Sequence, residues 1–156
     1  MDNYAIFGLV LGCMSAILDL LGLAIPYWNY VDAGFISVNK GLWVACIGIV
    51  GCGPIPDVPG ELVAVRALMV FSLLLMIAAV VCFLLQKFMM KDKVILTKVA
   101  AFVAVSAGIL MEFGTVLYAF SPKVSTSIIS LHAGFGLCVI ASLFGIFGGV
   151  CMRKAT

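Results

Sequence analysis

The sequence predicts an all-α membrane protein with a bundle of four transmembrane helices and a small antiparallel β-hairpin outside the bilayer. Three observations lead to the helical bundle. Of the 156 residues, 65% are hydrophobic and 10% are charged, whereas soluble domains contain about 25% charged residues. The mean hydropathy is +1.29, and one small core could not hide that much apolar surface from water. The apolar residues are also gathered into four long runs.

Each of the four runs meets the requirement of ~20 residues for a spanning helix. They cover residues 4–28, 62–85, 94–120 and 130–152. Membrane β-strands would alternate apolar and polar residues, but these runs are apolar at odd and even positions alike, so helices are predicted. A cleaved signal peptide is the alternative interpretation of the first run. The start "MDNY" has no positive charge, and the run exceeds the about 7–15 apolar residues of a signal peptide, so a spanning helix is favoured.

The distribution of positive charge predicts the topology, since cytosolic connections are rich in Lys and Arg. The basic residues gather in the link 86–93 and the tail 153–156: Lys87, Lys91, Lys93, Arg153 and Lys154. We therefore expect both termini and this link in the cytosol. The loops 29–61 and 121–129 are expected outside the cell, in a single domain that covers 1–156.

Two cysteines, Cys46 and Cys52, lie in the first outside loop, which matures in an oxidising compartment. Gly48 and Gly51 between and beside them suit a tight hairpin turn. The flanking stretch "FISVNKGLWVACIGIV" is rich in β-branched and aromatic residues, as strands are. A disulfide between the two cysteines would lock the hairpin tip.

The other cysteines lie inside the apolar runs, where they are expected to act as small buried hydrophobes: Cys13, Cys82, Cys138 and Cys151. Cys82 and Cys151 are also candidates for palmitoylation, because they lie near predicted cytosolic helix ends. The sequence has one histidine, His132, and no C-x-x-C pair, so no metal site is predicted.

No catalytic constellation, phosphate-binding loop or dinucleotide fingerprint is present, so neither an enzyme nor a cofactor is predicted. The net charge of +2 is too small to indicate nucleic-acid binding. Small residues at Ala141, Gly145 and Gly149 follow a four-residue spacing, which predicts close helix packing inside the bundle.

An ordered set of residues resembles the signature of the claudin family, W…GLW-x-x-C…C…R: Trp28, Gly41, Leu42, Trp43, Cys46, Cys52 and Arg66. The stretches "VPGELVAVRALMV", "YAFSPKV" and "LHAGFGLCV" also resemble claudin segments, so the resemblance covers nearly the whole chain. The wider superfamily includes peripheral myelin proteins, epithelial membrane proteins and auxiliary channel subunits.

The chain differs from most claudins in its first outside loop and at its end. The segment between Cys46 and Cys52 and the stretch from Trp28 to Trp43 are both shorter, which implies a smaller sheet. The sequence ends in Ala155 and Thr156 instead of the hydrophobic residue that docks into a PDZ groove by strand addition. We therefore expect no PDZ scaffold as a partner of this tail.

The resemblance implies that the extracellular loops form a small antiparallel β-sheet that sits on the bundle, and that Cys46 and Cys52 join neighbouring strands of it. In this arrangement Trp43 packs toward the outer mouth of the bundle as an anchor. Trp28 is interpreted either as part of the signature or as an ordinary interfacial belt residue. Arg66 either caps carbonyl groups of the loop or extends to the lipid headgroups.

Asp19 and Glu112 are acidic residues within predicted spans, where a charge is strongly disfavoured. Asp19 lies about 13 Å below Trp28 along its helix, and Glu112 lies about 12 Å below Phe120. We hypothesise that the two carboxyls meet inside the bundle and share a hydrogen-bond network. The alternative is that each is a neutral carboxyl satisfied by a neighbouring helix.

The function implied by the resemblance is a junction protein of the plasma membrane. It would associate with itself, or with other claudin-like proteins, within one membrane and between cells, and form or regulate a paracellular barrier or ion pathway. Apolar residues expected at the contacts are Phe35, Ile36, Phe120 and Pro122. The alternative is an auxiliary subunit or membrane organiser of the myelin and epithelial membrane type, which does not polymerise. A transporter is supported only by the two acids.

Overall fold

The computed structural model describes residues 2–32, 34, 36–90, 92–121 and 131–155. Its four long helices are α1 (Asn3–Ala24), α2 (Gly60–Phe88), α3 (Val94–Phe120) and α4 (Ala133–Lys154). Between α1 and α2 lie four short strands, β1 (Asn29–Asp32), β2 (Ser37–Lys40), β3 (Val44–Ile47) and β4 (Gly51–Pro54). The prediction of four apolar helices with a small antiparallel sheet is confirmed. By length and composition, each helix could cross a membrane.

Several helix boundaries differ from the predicted ones, and proline accounts for the end of α1. α1 ends at Ala24 rather than at residue 28, since Ile25 is extended (φ −77°, ψ 132°) and precedes Pro26, and a residue before proline disfavours the helical conformation. α2 begins two residues early, directly after Pro59, and α4 begins three residues late, at Ala133. α3 covers the predicted residues 94–120.

The helices approach each other closely because glycines line their contacts. A Cβ on Gly148 of α4 would lie 3.1 Å from the backbone nitrogen of Gly12 on α1. A Cβ on Gly149 would lie 2.8 Å from the carbonyl oxygen of Ala101 on α3. Ala141, Gly145 and Gly149 are all buried within the bundle, so the prediction that this stripe serves internal packing is confirmed.

The outer surface of the bundle is strongly apolar. Phe102 is 74% exposed, and exposed phenylalanines are found on all four helices, among them Phe7, Phe71, Phe113 and Phe147. Several polar side chains are instead fully buried: Ser15, Asp19, Ser72 and Ser142. This distribution differs from that of a water-soluble domain, where charged and polar side chains cover the surface.

We call the two ends of the bundle the sheet end and the terminal end. The sheet end comprises the sheet, the end of α1, the start of α2, the end of α3 and the start of α4. The terminal end comprises the opposite end of each helix. One core cluster lies under the sheet, around Trp28, Leu42, Met69 and Tyr118, and a second lies toward the terminal end, around Phe83 and Met152.

The sheet is an antiparallel meander with the strand order β1-β2-β3-β4. Its register pairs Val31 with Val38, Asn39 with Cys46, and Cys46 with Cys52. Each strand has four residues, and so small a sheet needs packing against helices to be stable in water. The sheet must therefore be held by its contacts with the bundle.

The close packing of α3 on α4 predicts that Gly108→Ala destabilises the bundle. The new methyl group would lie 2.8 Å from the Ser142 carbonyl oxygen, and such overpacking costs about 1–3 kcal/mol. Unfolding of the purified protein in mixed micelles, followed by circular dichroism as SDS is added, would measure the change.

Gly136→Ala on α4 is the matched control, because a Cβ at that position meets nothing within 4 Å. We expect the control to leave the free energy of unfolding unchanged or to raise it by up to about 1 kcal/mol through helix propensity. Equal stabilities of the two variants would contradict the packing argument.

Candidate functional site

Trp28 is the side chain that fixes the sheet to the bundle. It is fully buried, and its indole Nε1 donates a hydrogen bond to the Gly22 carbonyl oxygen at 2.6 Å. The ring packs edge-on against Tyr118, with centroids 4.8 Å apart. A Cβ on Gly134 would lie 2.7 Å from the indole, so a residue without a side chain makes room for it. The interpretation of Trp28 as an interfacial belt residue is therefore wrong.

The turn between β2 and β3 rests on the chain that leaves α1. A Cβ on Gly41 would lie 2.6 Å from the Cα of Pro26, so only glycine fits this approach. The Trp28 amide donates to the Lys40 carbonyl oxygen at 3.0 Å. Leu42 is fully buried in the cluster under the sheet. Burial also lowers the pKa of the Lys40 ammonium group, because it disfavours the charged form.

Arg66 of α2 holds the same turn from the other side. Its Nε donates to the Leu42 carbonyl oxygen at 2.7 Å, and its guanidinium carbon lies 4.9 Å from the centre of the Trp43 ring. The prediction that Arg66 caps a loop carbonyl is confirmed. Trp43 itself is 43% exposed. The resemblance predicts that Trp43 packs toward the outer mouth of the bundle, and Trp43 does contact Arg66 near the start of α2. The residues buried under the sheet are instead Trp28 and Leu42.

The start of α4 closes the anchor. The amide of His132 donates to the Trp28 carbonyl oxygen at 3.0 Å, and that of Gly134 donates to the Tyr27 carbonyl oxygen at 2.7 Å. Asn29 of β1 also forms an isolated antiparallel bridge with Leu131. The first backbone amides of a helix have no partner within the helix. Here they bond to the chain at the start of β1, so they join α4 to the first strand.

The β3–β4 hairpin ends in an apolar tip, which we define as Ile49 and Val50. Its strands are joined by the predicted disulfide between Cys46 and Cys52, whose Cα atoms are 4.0 Å apart. The Val50 amide donates to the Ile47 carbonyl oxygen at 2.9 Å, which closes the turn. Ile49 is 101% exposed and Val50 is 78% exposed. Turns of this kind usually carry Gly, Asn, Asp or Ser, so two aliphatic residues here are unusual.

Only part of the predicted contact set can be located. Ile36 is half-exposed in the β1–β2 connection, and Phe120 is exposed at the end of α3. Phe35, Pro122 and nearly all of the second loop, 121–129, lie outside the described residues. Sequence reasoning missed the apolar tip. The signal was the Ile-Val pair inside a stretch already interpreted as a hairpin turn.

The two intrahelical acids both contact α4 and not each other. The Cys138 thiol lies 3.9 Å from Asp19 Oδ1, and Ser142 Oγ lies 2.5 Å from Glu112 Oε2. Cys138 and Ser142 are one turn apart on α4, about 6 Å along the axis. Among the described residues, the hypothesised direct contact between the carboxyls is absent. The alternative, in which a neighbouring helix satisfies each carboxyl, describes Glu112 well, although Asp19 Oδ2 is buried without a partner.

The Ser142 hydroxyl has one proton to donate but lies near two hydrogen-bond acceptors. It lies 2.7 Å from the Val139 carbonyl oxygen as well as 2.5 Å from Glu112. The hydroxyl can donate to the Glu112 carboxyl on α3 or to the Val139 carbonyl oxygen on its own helix. Only the contact with Glu112 joins two helices. We therefore interpret this pair as a structural hydrogen bond between α3 and α4.

The remaining cysteines give no sign of a metal centre. In the part of the chain that the structure describes, no group of three His, Cys, Asp or Glu side chains could hold a metal ion. Cys138 is buried, and the other free thiols are half-buried: Cys13, Cys82 and Cys151. Palmitoylation of Cys82 and Cys151 stays a prediction.

No known protein-family model matches this sequence, and no curated protein matches it either. The functional argument therefore rests on the residues and their geometry: a sheet anchored by Trp28 and Arg66, a disulfide behind the tip, and two exposed aliphatic side chains at its end.

We predict that Arg66→Lys loosens the sheet but leaves the helices intact. Lysine cannot both donate to Leu42 and stack its head group flat on Trp43, and losing a hydrogen bond from a charged donor costs about 1.5–3 kcal/mol. Hydrogen exchange of the amides in 37–47 should become faster, while exchange in the helices should not. Arg153→Lys makes the same change at the terminal end and should leave the sheet protected. Unchanged protection in Arg66→Lys would contradict the anchoring role.

We predict that Glu112→Gln is tolerated and that Glu112→Ala is not. The side-chain oxygen of glutamine can accept a hydrogen bond from Ser142 as the carboxyl does, whereas alanine leaves a cavity and removes the bond, at a cost of about 1–3 kcal/mol. The free energy of unfolding in micelles would be compared for both variants and for Ser142→Ala. A loss in Glu112→Gln as large as that in Glu112→Ala would contradict the structural role of this hydrogen bond.

Proposed function

We propose that the chain is a four-span membrane protein of claudin type, which associates with copies of itself at cell–cell contacts through its sheet end. The observation that carries the proposal is the exposed apolar tip on a rigidly anchored hairpin. In this proposal the copies form or regulate a paracellular barrier or ion pathway.

Membrane insertion is supported by the surface of the bundle. The helices are long and apolar enough to cross a bilayer, and their outward faces carry exposed phenylalanines where a water-soluble protein carries charges. Close helix contacts at glycine are typical of membrane bundles, where packing takes the place of the hydrophobic effect between helices. With the positive charges cytosolic, the sheet end faces outward and both termini face the cytosol.

Self-association is supported by the chemistry of the tip. Moving an aliphatic side chain from water into a partner's pocket is favourable by about 1.5–3 kcal/mol, and the tip offers two such side chains. The disulfide and the Arg66 contact hold the hairpin in place before binding, which lowers the entropy lost on association. The edge strand β4 adds a second binding element, although Pro54 has no amide to donate.

A second candidate is an auxiliary subunit that binds a partner within the membrane. It is favoured by an apolar groove of about 500 Å³ on the surface of α2. Trp43 and Arg66 line one end of the groove, and Val70, Phe71 and Leu74 line the rest of it. A groove that runs along a helix suits a partner helix. This function would not need the apolar tip.

We predict that Ile49→Asn with Val50→Asn abolishes enrichment at cell contacts. A tagged chain would be expressed in cells that form no junctions of their own, and its fluorescence at contacts between two expressing cells would be compared with that on free surfaces. Asparagine is favoured in turns, so the hairpin should still fold, and surface delivery and the Cys46–Cys52 disulfide would be verified. We expect enrichment with strands in freeze-fracture for the parent and an even distribution for the variant.

Val31→Gln is the matched control, since it also makes an exposed apolar residue of the sheet polar, but on β1, and it creates no N-x-Ser/Thr glycosylation acceptor at Asn29. It should remain enriched at contacts. An even distribution of the folded, delivered parent protein would reject claudin-type adhesion and favour the auxiliary subunit. Resistance to extraction by alkaline carbonate tests membrane insertion separately.

A further inference from the structure

A groove between α3 and α4 at the terminal end has an apolar floor and a basic rim. Its volume is about 820 Å³, within the range of about 300–1,000 Å³ that is common for sites of small organic ligands. Apolar side chains line its length, namely Phe102, Val105 and Val150. Basic side chains lie at the end nearest the chain termini: Lys98, Arg153 and Lys154.

The groove exists because the residues at its floor are small. Ala101 and Gly149 line it, and α3 and α4 are nearly in backbone contact there, since a Cβ on Gly149 would lie 2.8 Å from the Ala101 carbonyl oxygen. No side chain projects from residue 149 to fill the space beside the contact. The larger residues on either side, Phe102 and Val150, are exposed and form its walls.

The basic rim is assembled from two antiparallel helices. Lys98 lies one turn into α3, and Arg153 and Lys154 lie in the last turn of α4. The Lys154 ammonium lies 5.7 Å from the centre of the Tyr4 ring of α1. The described acids at this end are Asp2 and Asp92, and neither lines the groove. The rim is therefore locally positive.

A positive rim above an apolar channel matches one class of ligand. A negatively charged group would lie on Lys98 and Lys154, while a hydrocarbon chain would lie against Phe102, Val105 and Val150. A free anion could use the rim but gains nothing from the floor. A neutral lipid could use the floor but gains little from the rim. Basic pockets between transmembrane helices on the cytosolic side are a known setting for anionic lipid headgroups.

We propose that this groove binds one anionic phospholipid of the inner leaflet, with its phosphate on the basic rim and one acyl chain along the groove. The inference rests on the membrane location in the proposed function, but it does not depend on adhesion. It assigns a ligand to a face of the bundle that the sheet and its apolar tip do not use. The bound lipid would bridge the start of α3 and the end of α4.

The test uses the purified full chain in detergent, titrated with phosphatidylserine or phosphatidylcholine and observed by native mass spectrometry. We expect phosphatidylserine to bind with a defined stoichiometry of one and more tightly than phosphatidylcholine. A basic residue near a membrane surface contributes about 1 kcal/mol to anionic lipid binding, which corresponds to about fivefold in affinity. Lys98→Gln should therefore weaken phosphatidylserine binding by about fivefold, and adding Lys154→Gln should weaken it further.

Two variants separate the groove from general charge and from folding. Lys93→Gln removes one positive charge at the same end, from an exposed residue that does not line the groove, and should leave binding unchanged. Val150→Trp keeps every charge but fills the channel, and should weaken binding of phosphatidylserine. Equal losses in Lys93→Gln and Lys98→Gln, or no loss in Val150→Trp, would overturn the proposed site.

Competition identifies the source of the phosphate. Inorganic phosphate or glycerophosphoserine at equal concentration should not displace the lipid, because neither carries an acyl chain. Displacement by either would overturn the lipid assignment in favour of a free-anion site, and equal affinity for phosphatidylcholine would overturn the charge selectivity. If the chain binds the lipid but is evenly distributed over the cell surface, only the adhesive function is rejected. If alkaline carbonate extracts the chain from membranes, the membrane location on which both proposals rest is rejected.

Discussion

The burial of Trp28 is the contact on which the sheet end of the molecule depends. The indole sits where α1 has ended, between Tyr118 of α3 and the start of α4, and its nitrogen is bonded to the Gly22 carbonyl oxygen. Backbone bonds from the same segment then fix β1, the β2–β3 turn and the first residues of α4. A sheet of such short strands has little core of its own, so this one buried aromatic residue supplies the packing that its strands lack.

Arg66 completes the attachment by a different kind of interaction. A guanidinium group can donate within its plane and stack with its face, so one side chain holds the Leu42 carbonyl oxygen and covers Trp43 together. The sheet is thus fixed at the end nearest the bundle, where the β2–β3 turn lies, while the disulfide stiffens the hairpin that leads away from the bundle. Rigidity at the base and exposure at the tip are the two properties that our proposed adhesive function requires.

The bundle itself depends on small residues at its contacts. Glycines of α1 and α4, and of α3 and α4, allow near contact of backbones, and the buried Ser15 hydroxyl donates to the Ala141 carbonyl oxygen at 2.7 Å. Because Gly149 has no side chain, α3 and α4 approach closely there, and the space beside their contact stays open as the groove. Helix packing and the proposed lipid site therefore have a common origin in the small residues of α4.

The sequence by itself determined the four helices, the hairpin and its disulfide, because hydropathy, turn residues and two nearby cysteines are local signals. It left the role of Arg66 open between capping a loop carbonyl and extending to the lipid headgroups. It did not determine which tryptophan is buried, that Asp19 and Glu112 each contact α4, or that Ile49 and Val50 are exposed. Those outcomes depend on where Pro26 ends α1 and on which faces of distant helices meet. Such choices are made by packing among residues far apart in the chain, so only the tertiary structure decided them.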